Sequence, residues 1–247
     1  MRAKKFSPLF KVIKFLVRVF YPKISVVGKE NLPDGEFVLV GNHSQMHGPI
    51  ISELFLSDRC YTWCIGEMMH LKSVPSYAFS DFWSRKPVYS RWFFKIVSYL
   101  IAPLSVLIFN NAKTIGVYKD KRLYTTFKTT VNKLSEGNGI VIFPEHDVER
   151  NNIVFDFQDG FIDIARLYYK KTGKNLCFIP MYIAPRLKKV FIGKGITFDN
   201  KADIDTQREK VCTYLMNEIT AIARELPKHT VVPYRNVNKK YYPVNKE

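Results

Sequence analysis

Cysteine is scarce in this chain, acidic residues are too few to balance the basic ones, and repeats and linkers are missing. The four cysteines, Cys60, Cys64, Cys177 and Cys212, form neither a C-x-x-C pair nor a regular framework. That spacing argues against a disulfide scaffold and predicts reduced structural thiols in a cytosolic setting. Asp and Glu number 22 against 38 Lys and Arg, a formal net charge of +16. Such an excess predicts attraction to a polyanion, whether nucleic acid, anionic lipid or a phosphorylated substrate. No internal repeat, low-complexity tract or linker interrupts the 247 residues, of which 47% are hydrophobic. One domain with a sizeable core is therefore expected.

The deficit of acid is deepest at the start. Residues 1–23 hold Arg2, Lys4, Lys5, Lys11, Lys14, Arg18 and Lys23, no Asp or Glu, and apolar residues from Phe6 to Phe20 between them. This reads as a basic amphipathic segment suited to a membrane interface, or to docking on a core. Lys11, Lys14 and Arg18 interrupt any signal-peptide apolar region. A second stretch, Trp92 to Phe109, has the length of a bilayer span but contains Lys95 and Pro103. A helical hairpin or broken helix, buried or dipping into lipid, is predicted there. Trp83 and Trp92 are placed to anchor it at an interface.

Strands are predicted at Phe37–Val40, at Ile140–Phe143 where Pro144 ends pairing, and at Leu176–Ala184. Helices are predicted within Arg122–Gly139 and Phe157–Lys174. The alternation implies a sheet with its functional loops at the carboxyl ends of strands. Two such ends carry chemistry: Asn42-His43 follows the first strand, and Pro144-Glu145-His146-Asp147 the second. If those strands are neighbours, an imidazole and carboxylates converge as a general base and its orienting acid require. The pair His43 and His47 also has the i, i+4 spacing of helical zinc ligands, although Gly48-Pro49 argues against a helix through both.

Taken in order, these segments resemble the glycerolipid acyltransferase superfamily typified by 1-acylglycerol-3-phosphate acyltransferases. Asn42-His43 begins its N-H-x-x-x-x-D block, and Thr114–Arg122 is similar to its second block with Lys119 at the basic position. Ile142–Asp147 keeps the Phe-Pro-Glu of the third block, Phe157–Ala165 resembles the segment after it, and Phe178–Pro185 the fourth. The resemblance implies a mixed, largely seven-stranded-type α/β sheet flanked by helices. Together with the charge and hydropathy patterns it divides the chain into a membrane-interface segment at 1–23, a domain over 24–231 with its hydrophobic insertion at 92–109, and a basic tail over 232–247. It implies transfer of a fatty acyl group from acyl-CoA or acyl carrier protein to glycerol phosphate or a lysophospholipid such as lysophosphatidate, in phospholipid synthesis. His43 would be the base; Asn42, Lys119, Arg122 and His146 would contribute to substrate binding, and Glu145 would line the acceptor site. No cofactor or metal is required, and the enzyme would work on anionic lipid at the cytoplasmic face of a membrane.

The sequence departs from the family's pattern where the chemistry is. Gly48 stands where the first block has its aspartate, and His146, Asp147 and Val148 replace Gly-Thr-Arg in the third. Three readings follow. In the first, Asp147 or Glu145 replaces the missing carboxylate and the enzyme is active. In the second, His43, His47, Glu145, His146 and Asp147 hold a metal and act hydrolytically. In the third, the chain is a catalytically impaired lipid or acyl binder. Nucleic acid is not expected as a partner, since the densest cationic cluster is the apolar-interleaved N-terminal segment. Tyr234 and Arg235 in the tail carry no motif.

Overall fold

A computed structural model describes residues 7–56, 58–84 and 86–246. Arg2, Lys4, Lys5 and Phe6 of the basic segment, and Glu247 of the tail, lie outside the described residues. In chain order the elements are helix α1 (Pro8–Phe20), strands β1 (Ser25–Val27) and β2 (Phe37–Gly41), helix α2 (His47–Phe55), strand β3 (Cys60–Ile65), helices α3 (Val74–Ala78) and α4 (Arg91–Asn111), strand β4 (Thr114–Val117), helix α5 (Leu123–Ser135), strands β5 (Gly139–Ile142), β6 (Glu145–Glu149) and β7 (Phe155–Phe157), helix α6 (Ile164–Thr172), strands β8 (Cys177–Ala184), β9 (Lys189–Ile192) and β10 (Ile196–Thr197), and helix α7 (Ile204–Glu225). The described residues fall into two units, one of those up to 21 and within 63–126, the other of those within 22–62 and 127–246.

The second unit holds a mixed sheet in which parallel pairs dominate, ordered β1-β9-β8-β2-β5-β3. β2 pairs parallel with both β5 and β8, and β9 and β10 run antiparallel to β8. Every residue of β2 and β5 is buried, which is why both read as unbroken apolar runs rather than alternating ones. Helix α7 packs on β8 through an inward face that includes Val211, Leu215 and Ile219. Helix α6 stops at Gly173, whose φ of 72° gives the left-handed cap that ends a helix cheaply. The register aligns Val40 with Ile142 on one side and with Pro180 on the other. Asn42-His43, Phe143-Pro144 and Ile183 therefore emerge along one carboxyl edge of the sheet. Pro144 ends the β5 ladder, and Glu145 begins a separate antiparallel ribbon of β6 and β7.

In the first unit, residues 92–109 form one continuous helix with Pro103 inside it, not the hairpin or broken helix expected. The stretch contains no Gly, Asn or Asp to make a turn. A hairpin would strand several backbone groups among apolar side chains, whereas the helix forgoes only the hydrogen bond that Pro103 cannot donate. Ser98, Ala102 and Ser105 make its narrow buried stripe, and Ser105 Oγ donates to the Met68 carbonyl at 3.0 Å. Met68, Val74, Ala78 and Ala102 form the core at this point. Trp92, Phe93, Ile96, Tyr99, Leu100 and Leu104 face outward and exposed. Helix α1 is similar: only Phe10 is buried, while Leu9, Val12, Phe15, Leu16, Val19 and Phe20 are exposed. The Ser7 amide at its start donates to Asn111 Oδ1 at the end of α4, 2.8 Å away. Among the described residues one helix, α4 with its leading turn, is long and apolar enough to cross a membrane.

Candidate active site

The first fixed point is Asn42, buried one residue beyond β2. Its Oδ1 accepts from the Ile183 amide at 2.7 Å and its Nδ2 donates to the Ile183 carbonyl at 3.1 Å and to Ser44 Oγ at 2.8 Å. An amide side chain that both donates to and accepts from one backbone residue extends the β2–β8 pairing by a step after the strand has ended. Asn42 thus fixes the loop, and its polar atoms point into the protein rather than toward a ligand. The next two residues after His43 are left-handed, with φ 48° at Ser44 and 53° at Gln45. Such non-glycine conformations cost about 1–3 kcal/mol each and persist only where surroundings impose them. Here Gln45 is held by the tail: its Nε2 donates to the Arg235 carbonyl and its Oε1 accepts from Tyr242 Oη, both at 3.0 Å.

His43 lies between two aromatic rings that meet it edge-on, Phe143 at 5.4 Å and Tyr234 at 5.8 Å between centroids. Its backbone amide donates to Glu145 Oε2 at 2.5 Å, and Glu145 Oε1 accepts from the Phe155 amide at 2.8 Å. Glu145 is 3% exposed, and its carboxylate ties the end of β2 to the β6–β7 ribbon. Burial pushes its carboxyl up to about 7 against the pull of those two amides. Burial likewise holds the His43 imidazole down to about 4, so it is neutral across the physiological range. Its Nδ1 is buried and has no hydrogen-bond partner among the described residues. A proton there finds no acceptor, which favours the tautomer protonated at Nε2.

Among the described residues, neither Asp147 nor Glu145, the two expected stand-ins for the missing aspartate, is hydrogen-bonded to His43 Nδ1. Each Glu145 oxygen accepts from a backbone amide. Asp147 Oδ1 instead accepts from Arg235 Nε at 2.8 Å, and the Arg235 guanidinium also donates to the Asp147 carbonyl. Nor could an aspartate be restored simply at Gly48: a Cβ there would lie 2.5 Å from the His43 carbonyl oxygen and 3.0 Å from Phe143 Cζ. The loop has closed into that space, with the Gly48 amide donating to the His43 carbonyl at 3.1 Å.

His146 Nε2 lies 3.2 Å from Asp156 Oδ2, across the β6–β7 ribbon. His47 opens α2, whereas His43 precedes that helix, so the two histidines do not share a helical face. Burial, then the charges of Arg186 and Lys239, lowers the His47 imidazole pKa. Among the described residues no three His, Cys, Asp or Glu side chains are grouped to hold a metal ion. Lys119 and Arg122 belong to the first unit, both exposed. There Arg122 stacks 4.0 Å over the Tyr118 ring and pairs with Asp120 at 2.8 Å.

Phe143, Gln45, Tyr234, Arg235 and Tyr242 were not singled out as site residues by sequence. Phe143 was legible as the apolar residue before Pro144. The tail residues were not, because Gln45 and Arg235 lie 190 positions apart and no local pattern connects them.

No curated protein matches the chain significantly. Among solved structures, the crystal structure of the 1-acyl-sn-glycerophosphate (LPA) acyltransferase, PlsC, from Thermotoga maritima is similar over 90% of this chain and 83% of that one, at 18% identity and a TM-score of 0.46. The sequence pattern of the acyltransferase family matches residues 23–185, which include both strand ends that build the His43 site. By that match over most of its length, the chain belongs to the acyltransferase family.

Proposed function

We propose that this chain transfers a fatty acyl group from acyl-CoA or acyl carrier protein to a hydroxyl of a glycerolipid-like acceptor, lysophosphatidate or a close relative. The observation that carries the reading is the juxtaposition of Asn42-His43 after β2 with Phe143-Pro144-Glu145 after β5, inside the region matched by the family. In this scheme the unprotonated Nε2 of His43 takes the proton of the acceptor hydroxyl as its oxygen attacks the thioester carbonyl. Backbone amides stabilise the oxyanion, the carbon–sulfur bond breaks, and the proton passes to the leaving thiolate. No cofactor takes part. The neutral state of His43 suits a base, but its unpartnered Nδ1 does not. Without an acceptor there, the productive tautomer is the minor one and the imidazolium that forms is poorly stabilised, so slow turnover is expected.

The exposed apolar faces of α1 and α4, with Lys11 and Arg18 on α1, support work at an anionic membrane surface as a peripheral or monotopic protein of the cytoplasmic face. Lys119 and Arg122 are proposed for an acceptor phosphate on the family resemblance. A second reading rests on the same orphaned Nδ1 and the closed Gly48 loop: a protein that binds lysolipid or acyl chains without turning them over. Thioester consumption by the full chain with a panel of lysolipids and glycerol phosphate separates the two. Turnover that disappears in His43→Ala supports transfer; lysolipid binding with no consumption under any pairing supports the binder.

A further inference from the structure

The tail beyond α7 is a strap with its own anchors. Val231 donates to the Pro243 carbonyl at 2.9 Å, Thr230 bridges Val244, and His229 and Asn245 exchange hydrogen bonds of 2.8 and 3.1 Å. Asn245 Nδ2 reaches the Ala223 carbonyl at the end of α7, and His229 Nε2 meets Tyr182 Oη of β8 at 2.8 Å. Both ends of the strap are therefore buried in the second unit. Its middle is laid over the His43 loop by the two bonds to Gln45. At that point Tyr234 meets the imidazole edge-on, at an interplanar angle of 83°, and is backed by Phe155 at 5.8 Å. Phe143 meets the same imidazole at 79°.

An imidazole without a carboxylate on Nδ1 is free to turn about its Cβ–Cγ bond unless packing stops it. Two rings set edge-on stop it here, and one of them comes from a segment outside the region that matches the family. We propose that Tyr234 is a positioning residue for His43: its ring fixes the imidazole orientation that a carboxylate would otherwise set, and the strap exists in part to deliver it. The role belongs to the ring and not to the hydroxyl. It rests on the acyl-transfer reading only for its kinetic consequence.

The test compares full-length wild type with Tyr234→Phe, Tyr234→Leu and Tyr242→Phe, the last loosening the strap at Gln45 without touching His43. With the acyl-CoA and lysolipid pair that gives turnover, Tyr234→Leu should lower kcat by roughly 10–100-fold, the scale of a misplaced catalytic group. KM should stay within roughly threefold, as expected of a residue that acts through His43. Tyr234→Phe should keep wild-type kcat, and Tyr242→Phe should fall between. Imidazole NMR, with the His43 signals identified by their loss in His43→Ala, should show them displaced in Tyr234→Leu and unmoved in Tyr234→Phe. Wild-type kcat and unmoved His43 signals in Tyr234→Leu overturn the proposal, as does a Phe variant as impaired as the Leu one. If no substrate pair gives turnover, the acyl-transfer reading fails, and the NMR comparison still decides whether Tyr234 sets the imidazole. Should Tyr234→Leu not fold, the Tyr242→Phe signals decide: displaced ones support the proposal and wild-type ones overturn it.

Discussion

His43 owes its character to what surrounds it. Two aromatic edges and a buried main chain keep it neutral, and the nearest carboxylate, Glu145, bonds its backbone instead of its ring. Restoring the family's aspartate by Gly48→Asp is therefore expected to fail as a rescue. The new Cβ would meet the His43 carbonyl at 2.5 Å, and the loop must shift to admit it. A loss of about 1–3 kcal/mol in urea denaturation, with no gain in thioester consumption, is the expected outcome. Glu145→Gln tests the other side of the loop. An amide has one oxygen where two backbone amides now have an acceptor each, so one of them faces an NH2 group. The cost should be about 1–3 kcal/mol by the same measurement.

Among the elements, α1 and α4 turn their apolar residues outward and keep little for the interior. A helix that buries only Phe10 while exposing Phe15, Leu16, Val19 and Phe20 gains little from its own fold, and the proposed lipid surface would take up those exposed side chains. Replacing the exposed Lys11 and Arg18 of α1 by Ser should weaken binding to anionic liposomes by roughly 2 kcal/mol, about thirtyfold, at about 1 kcal/mol per basic residue. The thermal midpoint should hardly move, since neither residue is buried. Flotation with vesicles over a salt series measures both the loss and its electrostatic origin; unchanged flotation would count against a lipid-facing α1.

The pH dependence of stability in the second unit gives a measurement on the whole chain. The Glu145 carboxyl is raised from an ordinary 4.5 to about 7, so its contribution is full below pH 4.5 and is lost as pH rises through 7. His43 is lowered from 6.5 to about 4, so its contribution is full above pH 6.5 and is lost as pH falls through 4. The two slopes oppose each other between pH 4.5 and 6.5 and largely cancel there. Urea midpoints of wild type should thus show little net change from this pair in that window. Glu145→Gln should uncover a stability that rises with pH across it, and His43→Ala one that falls. Parallel profiles in all three proteins would remove the pair from the account.

Read along the chain, Asn42-His43 and Phe-Pro-Glu were legible because they end two apolar runs, and adjacent parallel strands put such ends on one edge of a sheet. The α/β class followed from the same alternation of strand and helix, and the mixed sheet from the family resemblance. The continuous course of α4 through Pro103 was not legible, because the choice between a turn and a helix depends on what the neighbouring backbone can satisfy. What occupies the place of the missing carboxylate was a tertiary decision as well. Gly48 announced the absence at the level of sequence. Only the folded chain brings Tyr234 and Arg235 of the tail to His43 and Asp147, because contacts between distant segments are set by the packing of the strap on α7, β8 and Gln45, and no local periodicity encodes them.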